Sequence, residues 1–153
     1  METAFDLLAA QPFLAGLTDY HLDRLSLWAK RSLFHAGARL FHEDGHADRF
    51  WLIREGKVNI DTHVPGRGDV IVETLGPGAV LGWSWLFPPY RWHFGAVAAE
   101  TTLGVELDGP GVRELCRRDP SLGYELTTLF MQVMLERLQA TRLRLLDVYR
   151  VPL

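Results

Sequence analysis

The sequence predicts an α+β fold that is mainly β: an antiparallel β jelly-roll barrel flanked by N-terminal helices and a long C-terminal helix. Three observations predict it. Residues 4 to 30 carry apolar positions at helical spacing, and from Ser32 to Leu107 short apolar runs are cut by Gly, Pro and Asp about every 8 to 12 residues. Beyond Asp119-Pro120 the helical period returns and persists. The expected boundaries are one domain over 1–153, with helices in 1–31, the barrel in 32–108 and helices in 112–150. Composition agrees, since 153 residues that are 48% hydrophobic, 23% charged and 11% aromatic hold the apolar material of one core.

In the first segment Leu14-Ala15-Gly16-Leu17-Thr18-Asp19 breaks the helical pattern, and Thr18 or Asp19 caps a helix expected to run to about Lys30. Strand runs follow at Arg39 to His42, Arg49 to Ile53, Lys57 to Thr62, Val70 to Leu75 and Ala96 to Leu107. Arg54-Glu55-Gly56 and Pro65-Gly66-Arg67-Gly68-Asp69 place glycine between them, as hairpin turns with positive φ require. After Asp108-Gly109-Pro110-Gly111 a short helix spans about Val112 to Arg118, and Asp119-Pro120 opens the long one. There Leu122, Leu126, Leu129, Val133, Ala140 and Leu143 form a heptad-like seam interrupted by Glu136, widened by Phe130, Met134 and Leu138. One apolar face covers the barrel, and a second stripe is expected to meet a twin helix in a homodimer.

Bulk properties limit the partners. The formal net charge of −3 comes without a polybasic run, so electrostatics gives no drive towards nucleic acid. The single Cys116 forms no internal disulfide, which fits a reducing compartment. No run of about 18 apolar residues appears, and Met1-Glu2-Thr3-Ala4-Phe5-Asp6 lacks the basic start of a signal peptide. The expectation is a cytoplasmic chain without membrane contact.

The stretch Leu81-Gly82-Trp83-Ser84-Trp85-Leu86-Phe87-Pro88-Pro89-Tyr90-Arg91-Trp92-His93-Phe94-Gly95-Ala96-Val97 has the frame of a phosphate cradle. A glycine turn followed by a short helix points free amides and the positive dipole end at an anion. The side chains are aromatic and only partly cationic: three of the five tryptophans lie here with Arg91 and His93. Each tryptophan reads equally well as core packing or as a ligand contact. Enzyme chemistry finds no support. The six histidines contain no His-x-His pair of the cupin type, His42 and His46 flank a turn, and neither a nucleophile elbow nor a carboxylate pair is present. Cys116 precedes Arg117 and Arg118, yet packing on a helix face suits it better than reactivity.

Phe41-His42-Glu43-Asp44-Gly45-His46-Ala47-Asp48-Arg49-Phe50-Trp51-Leu52-Ile53-Arg54-Glu55-Gly56-Lys57-Val58, the cradle from Leu81 to Ala99, and Arg137-Leu138-Gln139-Ala140-Thr141 with Leu146-Asp147-Val148 resemble the cyclic-nucleotide-binding domain of the catabolite activator and FNR regulators. The resemblance implies the jelly roll, a site between barrel and long helix, and dimerisation through that helix. It also exposes two departures. Where nucleotide-binding members carry the ribose-holding Glu after the cradle glycine, this chain has Trp83; where they carry the phosphate-binding Arg and a following Ser or Thr, ungapped alignment puts His93 and Phe94. Losing two charge-assisted contacts of about 1.5 to 3 kcal/mol each weakens binding by roughly two to four powers of ten. Arg91 and Ser84 are the candidate replacements, and Thr141 aligns with the position that reaches the purine.

The expected function is therefore a stand-alone small-molecule sensor with a degenerate site at Leu81, Gly82, Trp83, Ser84, Arg91, His93, Phe94 and Thr141. Its expected ligand is a cyclic nucleotide or another small anion, and its signal leaves through a dimer or a protein partner. The alternative is a non-sensing dimerisation or interaction module whose pocket is plugged by aromatic rings, with a metal-dependent barrel enzyme a distant third. The sequence closes with Tyr149-Arg150-Val151-Pro152-Leu153, where the regulators continue into a helix-turn-helix, so direct DNA binding is not expected.

Overall fold

The structure is a computed structural model and describes residues 1–150. Helices α1 (Ala4–Ala9) and α2 (Asp19–Ser26) precede eight strands: β1 (Ala29–Phe34), β2 (Arg39–Phe41), β3 (Arg49–Glu55), β4 (Val58–Val64), β5 (Gly68–Leu75), β6 (Val80–Leu81), β7 (Gly95–Ala98) and β8 (Thr102–Asp108). Helices α3 (Gly109–Arg118) and α4 (Pro120–Val148) follow. The strands form two antiparallel four-stranded sheets in the orders β1-β8-β3-β6 and β2-β7-β4-β5. This is the mainly β fold with N-terminal helices and a long C-terminal helix that the sequence predicts.

Local chemistry explains the ends. The Thr18 hydroxyl accepts from the His21 amide to start α2, Asp108 accepts from Gly111 to start α3, and Asp119 accepts from Leu122 to start α4, with Pro in the first turn of the last two. Two expectations need correction. The α2 helix ends at Ser26, and Ala29 and Lys30 belong to β1, because their backbone pairs with Leu107 and Glu106 of β8. The run Ala96 to Leu107 is two strands in different sheets, broken at Ala99–Thr101. Among the described residues no helix is long and apolar enough to cross a membrane.

Two apolar clusters fill the fold. One joins α1, α2, α3 and α4 to one side of the barrel through Leu8, Leu25, Phe50, Trp85, Leu107 and Leu126. Phe130 anchors α4 there: it is fully buried, with ring centroids 4.9 Å from Phe13, 5.4 Å from Phe50 and 5.5 Å from Trp85. The other cluster is the barrel interior, built from Phe41, Trp51, Ile53, Val58, Ile60, Leu81, Trp92 and Ala96.

Along α4 the buried positions are Leu122, Leu126 and Phe130, with Leu129 and Val133 partly covered, so the first half of the expected seam faces the barrel. From Leu135 to Arg150 every side chain except Arg137 is exposed. Phe130→Ala removes the edge-to-face anchor and is expected to lower the unfolding free energy by about 3 to 5 kcal/mol in urea titrations.

Candidate functional site

The cradle hangs between β6 and β7. Val80 and Leu81 pair with Leu52 and Trp51 of β3, which fixes the approach to Gly82. Gly82 has φ of 96°, a backbone state open to glycine, and the chain then makes a 3-10 turn over Ser84–Leu86. The turn's first amides lack intrahelical partners, as in an anion cradle. The aromatic side chains decide what else lies there.

Residues 90–92 are laced to the β2–β3 loop. The Asp44 amide donates to the Trp92 carbonyl at 2.7 Å, the Trp92 amide to Gly45 at 2.9 Å, and the Ala47 amide to Tyr90 at 2.7 Å. Side chains then alternate outward and inward as in a strand: Arg91 and His93 are exposed, whereas Trp92 is 4% exposed. The Trp92 ring stacks on Phe41 at 3.9 Å and 17°, with Trp51 at 6.2 Å and 29°. Its six-membered edge also abuts the cradle: a Cβ on Gly82 would stand 2.8 Å from Trp92 Cζ3 and 2.9 Å from Cη2. The interior void left among Trp51, Val58, Leu81 and Gly104 is about 10 Å³, room for at most one water.

The other expected site residues take separate roles. Leu81 is fully buried in the barrel, and Ser84, 1% exposed, hydrogen-bonds His93 Nδ1 at 3.0 Å. Trp83 is half-buried, edge-on to Phe94 at 5.3 Å and 77°. Arg91 donates to the Asp44 carbonyl at 2.9 Å, away from the amides of the turn. Thr141 is exposed on α4, its hydroxyl donating to the Arg137 carbonyl at 2.9 Å. The structure thus gathers Leu81, Gly82, Trp83, Ser84, His93 and Phe94 around one turn, while Arg91 and Thr141 are bonded elsewhere.

Three groups that sequence reasoning left out of the site complete it. The first is Trp92 with Phe41 and Trp51; the 17-residue stretch was legible, but which of Arg91, Trp92 and His93 turns inward depends on the pairing with residues 44–47. The second is Arg137, whose Nη2 donates to the Val80 carbonyl at 2.6 Å, whose Nε is 3.8 Å from Glu73, and whose guanidinium lies 4.9 Å from the Trp83 ring centroid. Burial lowers its pKa, opposed by the Glu73 and Glu136 carboxylates. The third is Arg39, held bidentate by Asp61 at 2.8 and 3.2 Å and 3.5 Å from Asp69. The hydrogen bond to Asp61 leads in raising the Arg39 pKa. This pair occupies the place of a side chain on Gly95, since a Cβ there would strike Asp61 Oδ1 and Arg39 Nη1.

Outside the barrel a cleft of about 520 Å³ runs between α4 and the β5–β6 connection, with Phe13, Leu75, Val133 and Ala140 as apolar walls and Glu73, Glu136 and Arg137 as charges. Cys116 sits in the α3–α4 elbow, where burial first, and Asp119 second, push its thiol up to about 11, away from reactivity. Among the described residues no three His, Cys, Asp or Glu side chains come together in metal-ligating geometry.

Eight strands in two antiparallel sheets, a glycine cradle between β6 and β7, and a long helix docked beside it define a regulatory domain of the cyclic-nucleotide-binding type. The chain belongs to the cyclic nucleotide-binding domain family, whose pattern matches residues 31–119. A Thermus thermophilus cyclic AMP receptor protein is 26% identical over 130 residues, covering 84% of this chain and 60% of that protein, so the chain spans well under two thirds of that relative. A Geobacter metallireducens protein described as cyclic-nucleotide-binding is 30% identical, with a TM-score of 0.78 over 86% of this chain and 95% of that one. A cyclic nucleotide-binding domain of Methylobacillus flagellatus shares the fold at 19% identity, with a TM-score of 0.80 over 98% and 84% of the two chains.

Gly82→Ala is expected to destabilise by at least about 2 kcal/mol, from positive φ and the clash with Trp92 together. Unfolding of Gly82→Ala, Trp92→Ala and the double variant checks the assignment, because the clash half of the penalty disappears when the ring is gone; a coupling of about 1 kcal/mol is expected, and strict additivity would refute the contact.

Proposed function

We propose that this chain is a regulatory module of the cyclic-nucleotide-binding type whose nucleotide site is closed by its own aromatic side chains, and whose output leaves through α4. One observation carries the reading: the Trp92 ring rests on Gly82, at the point where a ligand would approach the cradle. Missing charges reinforce it. A bound cyclic phosphate needs a cation, yet Arg91 points away to the Asp44 carbonyl and His93 is exposed and bonded to Ser84. A sensor of another small anion draws support from the cleft beside α4. The cation lining it among the described residues, Arg137, is already engaged by Glu73, the Val80 carbonyl and Trp83.

The output surface is the second face of α4. Thr127, Met131, Met134, Leu138, Thr141, Leu145 and Val148 follow one another in steps of four and three without a charged residue. Met131, Leu138, Leu145 and Val148 on this line are 63%, 56%, 56% and 76% exposed, which suits burial against the same face of a second copy. Thr141 then belongs to the dimer seam. This seam differs from the expected one, whose Leu122, Leu126 and Leu129 are turned to the barrel.

Calorimetric titration with cyclic AMP and cyclic GMP is expected to give no saturable heat up to millimolar nucleotide, with tryptophan fluorescence unchanged. Saturation below about 10 μM, roughly −7 kcal/mol, would overturn the closed-site reading. Sedimentation at tens of micromolar is expected to find a dimer that Leu138→Glu converts to monomer with its circular dichroism intact; a wild-type monomer would remove α4 as the output surface.

A further inference from the structure

We propose that Trp92 is a built-in occupant of the cradle: its indole takes the place of a small planar ligand and holds the contact between cradle and α4 closed without a diffusible effector. The inference rests on the closed-site reading and adds a role for the plug. Three features distinguish Trp92 from an ordinary core side chain. Its ring stacks face to face on Phe41 at 3.9 Å with Trp51 alongside at 6.2 Å, and the receiving wall of the barrel is itself stacked, Phe41 on Trp51 at 5.7 Å and 15°. The ring edge touches backbone, at Gly82, with no side chain between. Its own backbone is tied on both sides to Asp44 and Gly45, so the ring is delivered into the barrel by a loop outside it.

The consequence reaches α4 through one covalent step. Gly82 is followed by Trp83, and the face of Trp83 carries the Arg137 guanidinium, which also bonds the Val80 carbonyl just before the glycine. A ring that immobilises Gly82 therefore immobilises both surfaces on which Arg137 rests. Removing it frees a backbone with positive φ and no side chain of its own, and Arg137 loses its fixed platform. In a ligand-operated domain the effector would supply that immobilisation; here Trp92 supplies it permanently. The α4 helix is then held in one docked position, consistent with a module whose signal is its dimer or partner surface.

Chemical rescue tests this. Trp92→Ala is expected to speed backbone amide exchange across residues 126–140 of α4 by tenfold or more, measured by hydrogen–deuterium exchange with mass spectrometry. Free indole at millimolar concentration is expected to restore the slow exchange and to raise the melting midpoint of the variant by about 5 °C, leaving wild type unchanged. Val58→Ala, in the same fully buried cluster but not against Gly82, is the control: it is expected to lower stability without selective exchange in α4 and without an indole effect. Should Trp92→Ala fail to fold, Trp92→Val with benzene asks the same question of a smaller cavity. Unchanged α4 exchange in the variant, faster exchange that the aromatic does not reverse, or an equal response in Val58→Ala would each overturn the proposal. Nucleotide titration of wild type tests the underlying reading separately, so its failure is distinguishable from failure of the rescue.

Discussion

The contact between Trp92 and Gly82 is the constraint on which the rest of the site depends, because it forces several independent choices at once. Only glycine tolerates both the positive φ and a ring 2.8 Å from where a Cβ would stand. With the ring inside, the barrel interior is filled at that point, and neighbours 91 and 93 point outward in strand-like alternation. The loop of residues 44–47 is what makes the inward choice stable, since three backbone hydrogen bonds and the Arg91 side chain bind it to residues 90–92. Removing those bonds would leave an indole on a free loop, where stacking alone does not fix its direction.

The same region connects the two cores. Trp92 belongs to the barrel interior, whereas Trp85, three residues into the cradle turn, belongs to the cluster that holds α4, stacked on Phe50 at 4.6 Å and edge-on to Phe130. The turn is therefore a bridge, with one tryptophan rooted on each side and Trp83 on its outer surface beneath Arg137. This division decides what each half of α4 does. Up to Arg137 the helix is held by Leu122, Leu126, Phe130 and the guanidinium, and beyond it the apolar residues have no partner in their own chain among the described residues. A helix whose apolar packing ends halfway, with Arg144 still donating to the Val72 carbonyl at 3.0 Å, and which continues apolar for three more turns retains a surface for another molecule.

Much of the fold was legible because its signals are local. Thr18 and Asp119 cap the helices they precede, and the glycine-bearing turns at Gly56 and Gly66 separate the strands as their positive φ demands, whereas α3 starts at Gly109 on an Asp108 cap and not at about Val112 as expected. The boundary at Lys30 was not legible, since Ala29 and Lys30 suit a helix and become strand only because β8 offers a partner. In the site, the glycine turn and the absence of the ribose Glu were readable from Gly82 and Trp83 alone. The inward residue was not: an ungapped alignment points to His93, and the shift to Trp92 comes from backbone bonds to Asp44, Gly45 and Ala47, far earlier in the chain. Arg137 was likewise hidden, because its significance lies in Glu73, Val80 and Trp83, brought to it by the docking of α4.

Charge balance ties these features together. A site built for a cyclic phosphate must hold an uncompensated cation in a sheltered place, which is costly in the empty state and is neutralised when the anion enters. Two sheltered cations beside this cradle are neutralised from within, Arg39 by Asp61 and Asp69 and Arg137 by Glu73, while Arg113 donates to the Trp85 carbonyl and lies over the Tyr90 ring. Gly95 makes the first arrangement possible, because any larger residue would displace the Arg39–Asp61 pair. In the proposed closed-site reading, an interior that pairs Arg39 and Arg137 internally and is filled by Phe41, Trp51 and Trp92 leaves little electrostatic or steric demand for an anion. On the proposed reading, the aromatic plug and the internal ion pairs are two halves of one condition: a regulatory fold stable with nothing bound.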